Sequence, residues 1–213
     1  ALALLEAVHA GEPDGPSLVV APAALLENWR REALRFAPGL RVFVHHGTNR
    51  IGAPADVHGL DLVITSYATL ARDAGVFSSL PLAVVIADEA QHVKNRRTER
   101  ARALFGLISQ GRFVLTGTPI ENSVEDLRTL FGFLMPGFLK RIPPGVRGED
   151  KTWFDREHLR QAAPYILRRK KSLVAPELPD KVEQTVFCEM SPEQGKLYRD
   201  VRDGLEKRIS EML

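Results

Sequence analysis

An α/β fold built on a parallel sheet flanked by helices is what this sequence predicts, and three observations lead there. The runs Ser17-Leu18-Val19-Val20-Ala21, Asp61-Leu62-Val63-Ile64-Thr65 and Ala83-Val84-Val85-Ile86-Ala87 are short and almost continuously apolar, the pattern of parallel strands buried on both faces. Amphipathic helical segments alternate with them, as in a sheet covered by helices on both sides. Two apolar runs end in polar clusters, Asp88-Glu89 and Thr116-Gly117-Thr118-Pro119, and strand ends of this kind are where open α/β sheets bind ligands.

Taken in order, the chain starts with Ala1-Leu2-Ala3-Leu4-Leu5-Glu6, which reads as a helix already under way. The turn-rich Gly11-Glu12-Pro13-Asp14-Gly15-Pro16 separates it from the first strand. Residues 24–36 carry Leu25, Trp29, Ala33 and Phe36 at helical spacing, with Glu27, Arg30, Arg31 and Arg35 opposite. Pro38-Gly39 ends this helix, and Val42-Phe43-Val44 is the next strand. The strand ending at Thr65 passes through Ser66 and Tyr67 into a helix through Leu70. Residues 98–108 predict a helix with Ala101, Leu104, Phe105 and Ile108 inward, and residues 112–116 one more strand. A helix capped by Ser123 follows, with Glu125 and Asp126 in its first turn and Leu127, Leu130, Phe131 and Leu134 as its apolar stripe.

Beyond Gly137 the rhythm changes: a loop at residues 143–148, a short polar helix at 155–163, and Tyr165-Ile166-Leu167 running into Arg168-Arg169-Lys170-Lys171. Pro176-Glu177-Leu178-Pro179 has the stiffness of a linker. Residues 183–190 alternate like a strand, and Ser191-Pro192-Glu193-Gln194 is a capping-box pattern opening a last helix. The expected division is therefore residues 1–136 as the α/β lobe, 137–175 as a helical insertion, and 176–213 as linker plus helix.

A length of 213 residues suits one large domain or slightly more. Hydrophobic residues make up 44% and charged residues 26%, near globular averages, which argues against disorder. No apolar run approaches the roughly 20 residues of a membrane span, and the opening lacks the basic lead-in of a signal peptide, so no membrane partner is expected. Cys188 is the single cysteine, which excludes a disulfide framework and a thiolate zinc site and favours a reducing compartment. The six histidines lack metal-ligand spacing, and structural or surface roles are expected of them. A net charge of +2 neither demands nor excludes nucleic acid. Basic residues do concentrate at 94–102 and 168–171.

Adjacent parallel strands would bring Asp88-Glu89 and Thr116-Gly117-Thr118 to one sheet edge, an arrangement suited to phosphoryl transfer, where catalysis is mostly positioning and charge neutralisation. Two neighbouring acids at the mouth of an apolar strand call for an offsetting cation, with a divalent metal the natural one. Asp88 is the candidate magnesium holder and Glu89 the candidate base or water-orienting group, while an acidic helix cap is the plainer reading of the same pair.

The ordered motifs Leu18-Val19-Val20-Ala21-Pro22, Asn28-Trp29, Ile64-Thr65-Ser66-Tyr67, Asp88-Glu89-Ala90-Gln91, Lys94-Asn95, Leu115-Thr116-Gly117-Thr118-Pro119-Ile120-Glu121-Asn122 and Leu167-Arg168-Arg169 resemble the Swi/Snf-type DNA translocases of the helicase superfamily. The resemblance covers nearly the whole chain. It implies the first of two RecA-like lobes that bind ATP and Mg2+ between them and move along double-stranded DNA, acting on a DNA-bound protein complex. It makes Asp88, Glu89 and Gln91 catalytic, with Gln91 linking hydrolysis to Thr116, Gly117 and Thr118. Pro22, Thr65, Ser66, Tyr67, Lys94, Asn95, Arg168 and Arg169 become DNA-binding candidates. Plainer readings stand beside these: core packing for Trp29, helix-start packing for Tyr67, a solvated helix start for Lys94 and a charged surface for residues 168–171.

The chain departs from the family in lacking a Gly-x-x-x-x-Gly-Lys-Ser/Thr phosphate loop, the backbone cradle for the β- and γ-phosphates. That loop is expected just before the opening helix, the arginine-bearing second lobe beyond the last one, and the isolated chain is expected to be inactive. The expected location is the bacterial nucleoid in the cytoplasm, or the nucleus if the source is eukaryotic. A non-catalytic DNA-binding or docking lobe and a strand-separating helicase are the alternatives.

Overall fold

The computed structural model describes residues 1–117, 124–169 and 184–212, with side chains through 205. Its centre is a five-stranded, all-parallel sheet in the order β2-β3-β1-β4-β5, formed by β1 (Ser17–Ala21), β2 (Val42–His45), β3 (Leu62–Ser66), β4 (Leu82–Asp88) and β5 (Ser109–Leu115). The helices are α1 (Leu2–His9), α2 (Leu26–Phe36), α3 (Tyr67–Arg72), α4 (Ala74–Phe77), α5 (Glu99–Phe105), α6 (Val124–Leu134), α7 (Gly148–Ala162) and α8 (Pro192–Met212). The expected α/β class is what the chain adopts.

Alternation along the strands divides the core in two. Val19, Ala21, Leu62, Ile64, Val84 and Ile86 pack beneath Leu5 of α1 and Leu26, Trp29 and Ala33 of α2. Leu18, Val20, Val63, Val85 and Ala87 face the other way, toward Tyr67 and Leu70 of α3, Phe77 of α4, Leu104 of α5 and Phe133 of α6. A smaller cluster of Leu127, Phe131 and Ala162 joins α6 to α7.

The register sets the functional edge. Val20 lies beside Thr65 on one side and Ala87 on the other, and Asp88 lies beside Leu115. The carboxyl ends of β3, β1, β4 and β5 therefore form one row, in keeping with the expectation from sequence.

At the β2 edge, buried His45 accepts the Ile51 backbone N–H at Nδ1 (2.8 Å). Its Nε2–H donates to Asp73 Oδ2 at 2.8 Å, and Arg50 pairs with the other oxygen of Asp73. Burial pushes the His45 imidazole below its ordinary value, against the opposing pull of Asp73.

Several expectations need correction. Helix α2 starts at Leu26 after a 3-10 turn over Ala23–Leu25, and buries Leu26, Trp29 and Ala33 while Phe36 stays exposed. Helix α5 ends at Phe105, so Leu107 rather than Ile108 enters the core. Strand β5 begins at Ser109, where a run containing Gly111 and Arg112 carries no apolar signal; β4 pulls it into the ladder from Leu82↔Ser109 onward. Helix α7 is longer than expected because Glu149 and Asp150, at the margin of the expected loop, sit in its first turn, where acids favour the helix N-terminus. Residues 184–190 form no strand; Val186 and Phe187 are exposed and have no ladder partner among the described residues, without which alternation specifies nothing.

The contacts separate Ala1–Ile166 from Leu167–Leu213. In the second unit the Ser191 capping box forms: the Ser191 N–H donates to Gln194 Oε1 and the Gln194 N–H to Ser191 Oγ. Cys188 is exposed. Among the described residues no helix is long and apolar enough to cross a membrane. Ser123, Lys170, Lys171 and the proposed linker at 176–179 lie outside the described residues.

Candidate functional site

The site grows from the end of β4. Six buried residues of that strand carry Asp88 to the sheet edge, and the chain then reverses through Glu89 in a left-handed conformation (φ 48°, ψ 50°) before the 3-10 turn Ala90–Val93. A non-glycine residue held there costs about 1–2 kcal/mol, and such strain gathers at functional sites.

Three donors hold Asp88. The Glu89 N–H donates to Oδ1 at 2.9 Å and the Trp29 indole Nε1–H to Oδ2 at 2.8 Å. The Tyr67 hydroxyl donates to the Asp88 carbonyl at 2.7 Å. Trp29 comes from the helix after β1 and Tyr67 from the helix after β3, so both crossovers converge on this residue. Burial, helped by the charges of Asp88 and Glu89, raises the Tyr67 phenol well above its ordinary range, which keeps it a donor.

Glu89 and Gln91 extend the network across the sheet. Gln91 Nε2 donates to Glu89 Oε2 at 2.7 Å, and Thr116 Oγ1 donates to Gln91 Oε1 at 3.0 Å. One amide thereby joins the acid at the end of β4 to the hydroxyl just past β5. Gly117 is exposed beside it, and Thr118 lies outside the described residues. Lys94 Nζ stands 3.3 Å from Asp126 Oδ2 in the first turn of α6, a second tie between the acidic turn and the segment after β5.

The DNA-binding candidates divide. Thr65, Ser66 and Tyr67 are at most 3% exposed, and their side chains are engaged internally. Thr65 Oγ1 donates to the His45 carbonyl, Ser66 Oγ caps α3 by accepting the Thr69 N–H, and Tyr67 holds Asp88. The packing reading of Tyr67 thus accounts for its side chain. Pro22 is half-buried at the turn after β1, and Asn95 is exposed with its Oδ1 accepting the Arg97 N–H. Arg168 and Arg169 are exposed in the second unit.

The core packing expected of Trp29 is what the structure shows, but its hydrogen bond to Asp88 is a contact that sequence reasoning missed, since helical spacing predicts only burial. A signal existed: a buried indole N–H requires an acceptor, and its helix leaves the strand beside the acidic one. A cavity of about 500 Å³ adjoins this pair, lined among others by Ala1, Asn28, Trp29, Phe36 and Asp88.

The donor set fits magnesium. Among the described residues no group of three or more His, Cys, Asp or Glu could cage a metal, whereas magnesium is commonly held by one or two carboxylates with waters and phosphate oxygens completing the shell. Among the described residues each Asp88 oxygen accepts a single hydrogen bond, which leaves a lone pair on each for other partners.

A five-stranded parallel sheet flanked by helices, with an acid pair at the end of β4 and Thr116 just past β5, is the architecture of a RecA-like lobe. The chain belongs to the SNF2-related domain family, which matches residues 1–212. It is 33% identical to the helicase SWR1 of Mycosarcoma maydis, over 92% of this chain and 12% of that protein. It is also 30% identical to a Xenopus tropicalis SWI/SNF-related, matrix-associated, actin-dependent regulator of chromatin (subfamily A, containing DEAD/H box 1), over 98% of this chain and 23% of that protein. Among solved structures, the Sulfolobus solfataricus SWI2/SNF2 ATPase core in complex with dsDNA superposes with a TM-score of 0.69 at 33% identity, over 99% of this chain and 46% of that one. The chain thus spans less than half the length of each of these proteins.

Proposed function

We propose that this chain is the first lobe of an ATP-dependent motor that moves along double-stranded DNA. Asp88 holds the magnesium, Glu89 orients and deprotonates the attacking water, and Gln91 passes the state of the nucleotide to Thr116, Gly117 and Thr118. The Glu89–Gln91–Thr116 chain of hydrogen bonds carries this reading, because it gives hydrolysis at one strand end a direct mechanical outlet at the next. Bound magnesium supplies positive charge to the phosphate oxygens.

The relatives support the parts that the lobe alone lacks. One is named as a chromatin-remodeling ATPase and another was solved on double-stranded DNA, so ATP and duplex DNA are the proposed substrate and track, and a DNA-bound protein complex the proposed target. With the side chains of Thr65, Ser66 and Tyr67 turned inward, Pro22 and the peptide groups of this edge are the proposed DNA-backbone contacts of the first unit, and Arg168 and Arg169 are separate candidates for phosphate contact in the second. The division into residues 1–136, 137–175 and 176–213 belongs to the same proposal, with the phosphate loop supplied from outside these residues. Relatives whose names refer to chromatin favour the compartment that holds packaged chromosomes, in eukaryotes the nucleus; the bacterial-nucleoid expectation draws no support from them.

Triplex displacement tests the motor reading. The protein carrying this lobe should strip a third strand from duplex DNA when given ATP, without melting the duplex; melting instead would make it a strand-separating helicase. The 213-residue chain alone should show negligible DNA-stimulated ATPase activity, and robust turnover would overturn its dependence on an outside phosphate loop. Neutralising Arg168 and Arg169 should reduce the salt slope of DNA affinity by about 0.9 for each phosphate that the two arginines neutralise.

A further inference from the structure

We infer that Trp29 is a positioning residue for the metal-holding carboxylate of Asp88, rather than a core residue only. The inference rests on the magnesium reading of Asp88 and adds a residue to it.

Trp29 is 8% exposed, and packing against Leu26, Ala33 and the sheet explains the ring but not the direction of its N–H. The indole crosses 59 positions of sequence to reach Oδ2 at 2.8 Å. Oδ1 is held from the other side by the Glu89 N–H at 2.9 Å. Two donors from different elements fix the carboxylate plane, so it cannot rotate about its Cβ–Cγ bond without breaking one of them. Partners of this sort orient metal-binding ligands in general.

The donor's chemistry matters as much as its position. A lysine or arginine at the same place would pair with the carboxylate and compete with a divalent cation for it. An indole N–H carries no charge and no proton that the site can lose, so it orients Asp88 without neutralising it. Asp88 is half-buried at the end of β4, after six buried residues, so the held carboxylate stands at the edge of the core rather than inside it.

Because the chain contains only two tryptophans, Trp29 and Trp153, the indole N–H signals in nuclear magnetic resonance report the site directly. In the 15N-labelled 213-residue chain, with Trp153→Phe used for assignment, Mn2+ serves as a paramagnetic stand-in for magnesium. Broadening of the Trp29 signal at Mn2+ concentrations that leave exposed Trp153 sharp is expected, and Asp88→Asn should abolish it. Trp29→Phe, which keeps an aromatic ring and removes the donor, should lower the melting temperature somewhat, because the site is buried, and in the still folded variant should weaken Mn2+ affinity roughly tenfold.

If Asp88→Asn abolishes Mn2+ binding while Trp29→Phe leaves it unaltered, Trp29 is packing alone and the metal reading survives. If Asp88→Asn changes nothing, the metal reading fails and the inference with it. Should Trp29→Phe not fold, the unmutated chain decides: a Trp29 indole signal that shifts on saturation with Mg2+ supports positioning, and one that stays still overturns it.

Discussion

Strands β4 and β5 are neighbours of seven residues each, run parallel in one register and deliver polar residues to the same edge, yet they are built differently. In β4 every residue before Asp88 is buried, and three donors fasten Asp88 itself. In β5 half-buried and exposed positions mix, Phe113 and Leu115 reach solvent, and of the residues just beyond the strand only Thr116 and Gly117 are described. Under the proposed function the two ends would do different work: β4 would be the fixed side that holds metal and water, and β5 the side that receives a signal through the Gln91–Thr116 hydrogen bond.

The sharpest way to break this comparison is kinetic. If the protein that carries the lobe hydrolyses ATP as proposed, Glu89→Gln should lose on the order of 10²–10⁴ in turnover, the usual worth of a positioned acid–base group. Thr116→Val should lose only roughly threefold to tenfold, the worth of one neutral hydrogen bond. Equal losses in a steady-state ATPase assay would mean that both ends take part in the chemistry.

Urea denaturation separates the strands by stability. Ile86→Ala, at a site 1% exposed, should cost about 2–5 kcal/mol, whereas Phe113→Ala, at 42% exposure, should cost under about 2 kcal/mol. Comparable costs would show β5 to be as deeply packed as β4. A smaller effect is expected at the turn itself: Glu89→Gly should relieve the left-handed backbone and stabilise the fold by up to about 1 kcal/mol while abolishing hydrolysis. A loss of stability there would mean that the Gln91 contact outweighs the strain.

The β2 edge supplies a third reference, because it is closed by a titrating group. His45 is held neutral, with a folded value below its ordinary 6.5. The unfolded chain therefore binds the proton that the folded one resists, and stability is complete above about pH 6.5 and declines as pH falls through that value. His9 and His158 are lowered by burial in the same direction. Melting temperatures should drop between about pH 8 and pH 5.5, with His45→Gln removing part of the slope; a flat profile in the unmutated chain would sink this account.

How much of the molecule is legible in its sequence follows the same division. Continuous apolar runs identify β1, β3 and β4, and the acids at the end of β4 mark the site, because burial on both faces writes itself into composition. Strand β5 is only half visible, since Ser109, Gln110 and Gly111 join the ladder through pairing with β4, which composition does not record. Residues 184–190 fail in the opposite sense, having alternation without a partner strand. Strand adjacency brings the ends of β4 and β5 to one edge, while the Gln91–Thr116 link comes from the family resemblance and is seen in the structure. The Trp29–Asp88 bond comes from neither, since helical periodicity says that a residue is buried but not which atom it meets.

The distance in sequence spanned by that bond has a kinetic consequence. Trp29 and Asp88 are 59 residues apart and meet only when β1 has paired with β4 across an intervening crossover that also forms β2 and β3. Such long-range parallel pairing closes late and slowly during folding. The hydrogen bond that holds Asp88 Oδ2 therefore cannot form before β1 and β4 have paired, whereas the Glu89 N–H bond to Oδ1 is local and needs no such closure.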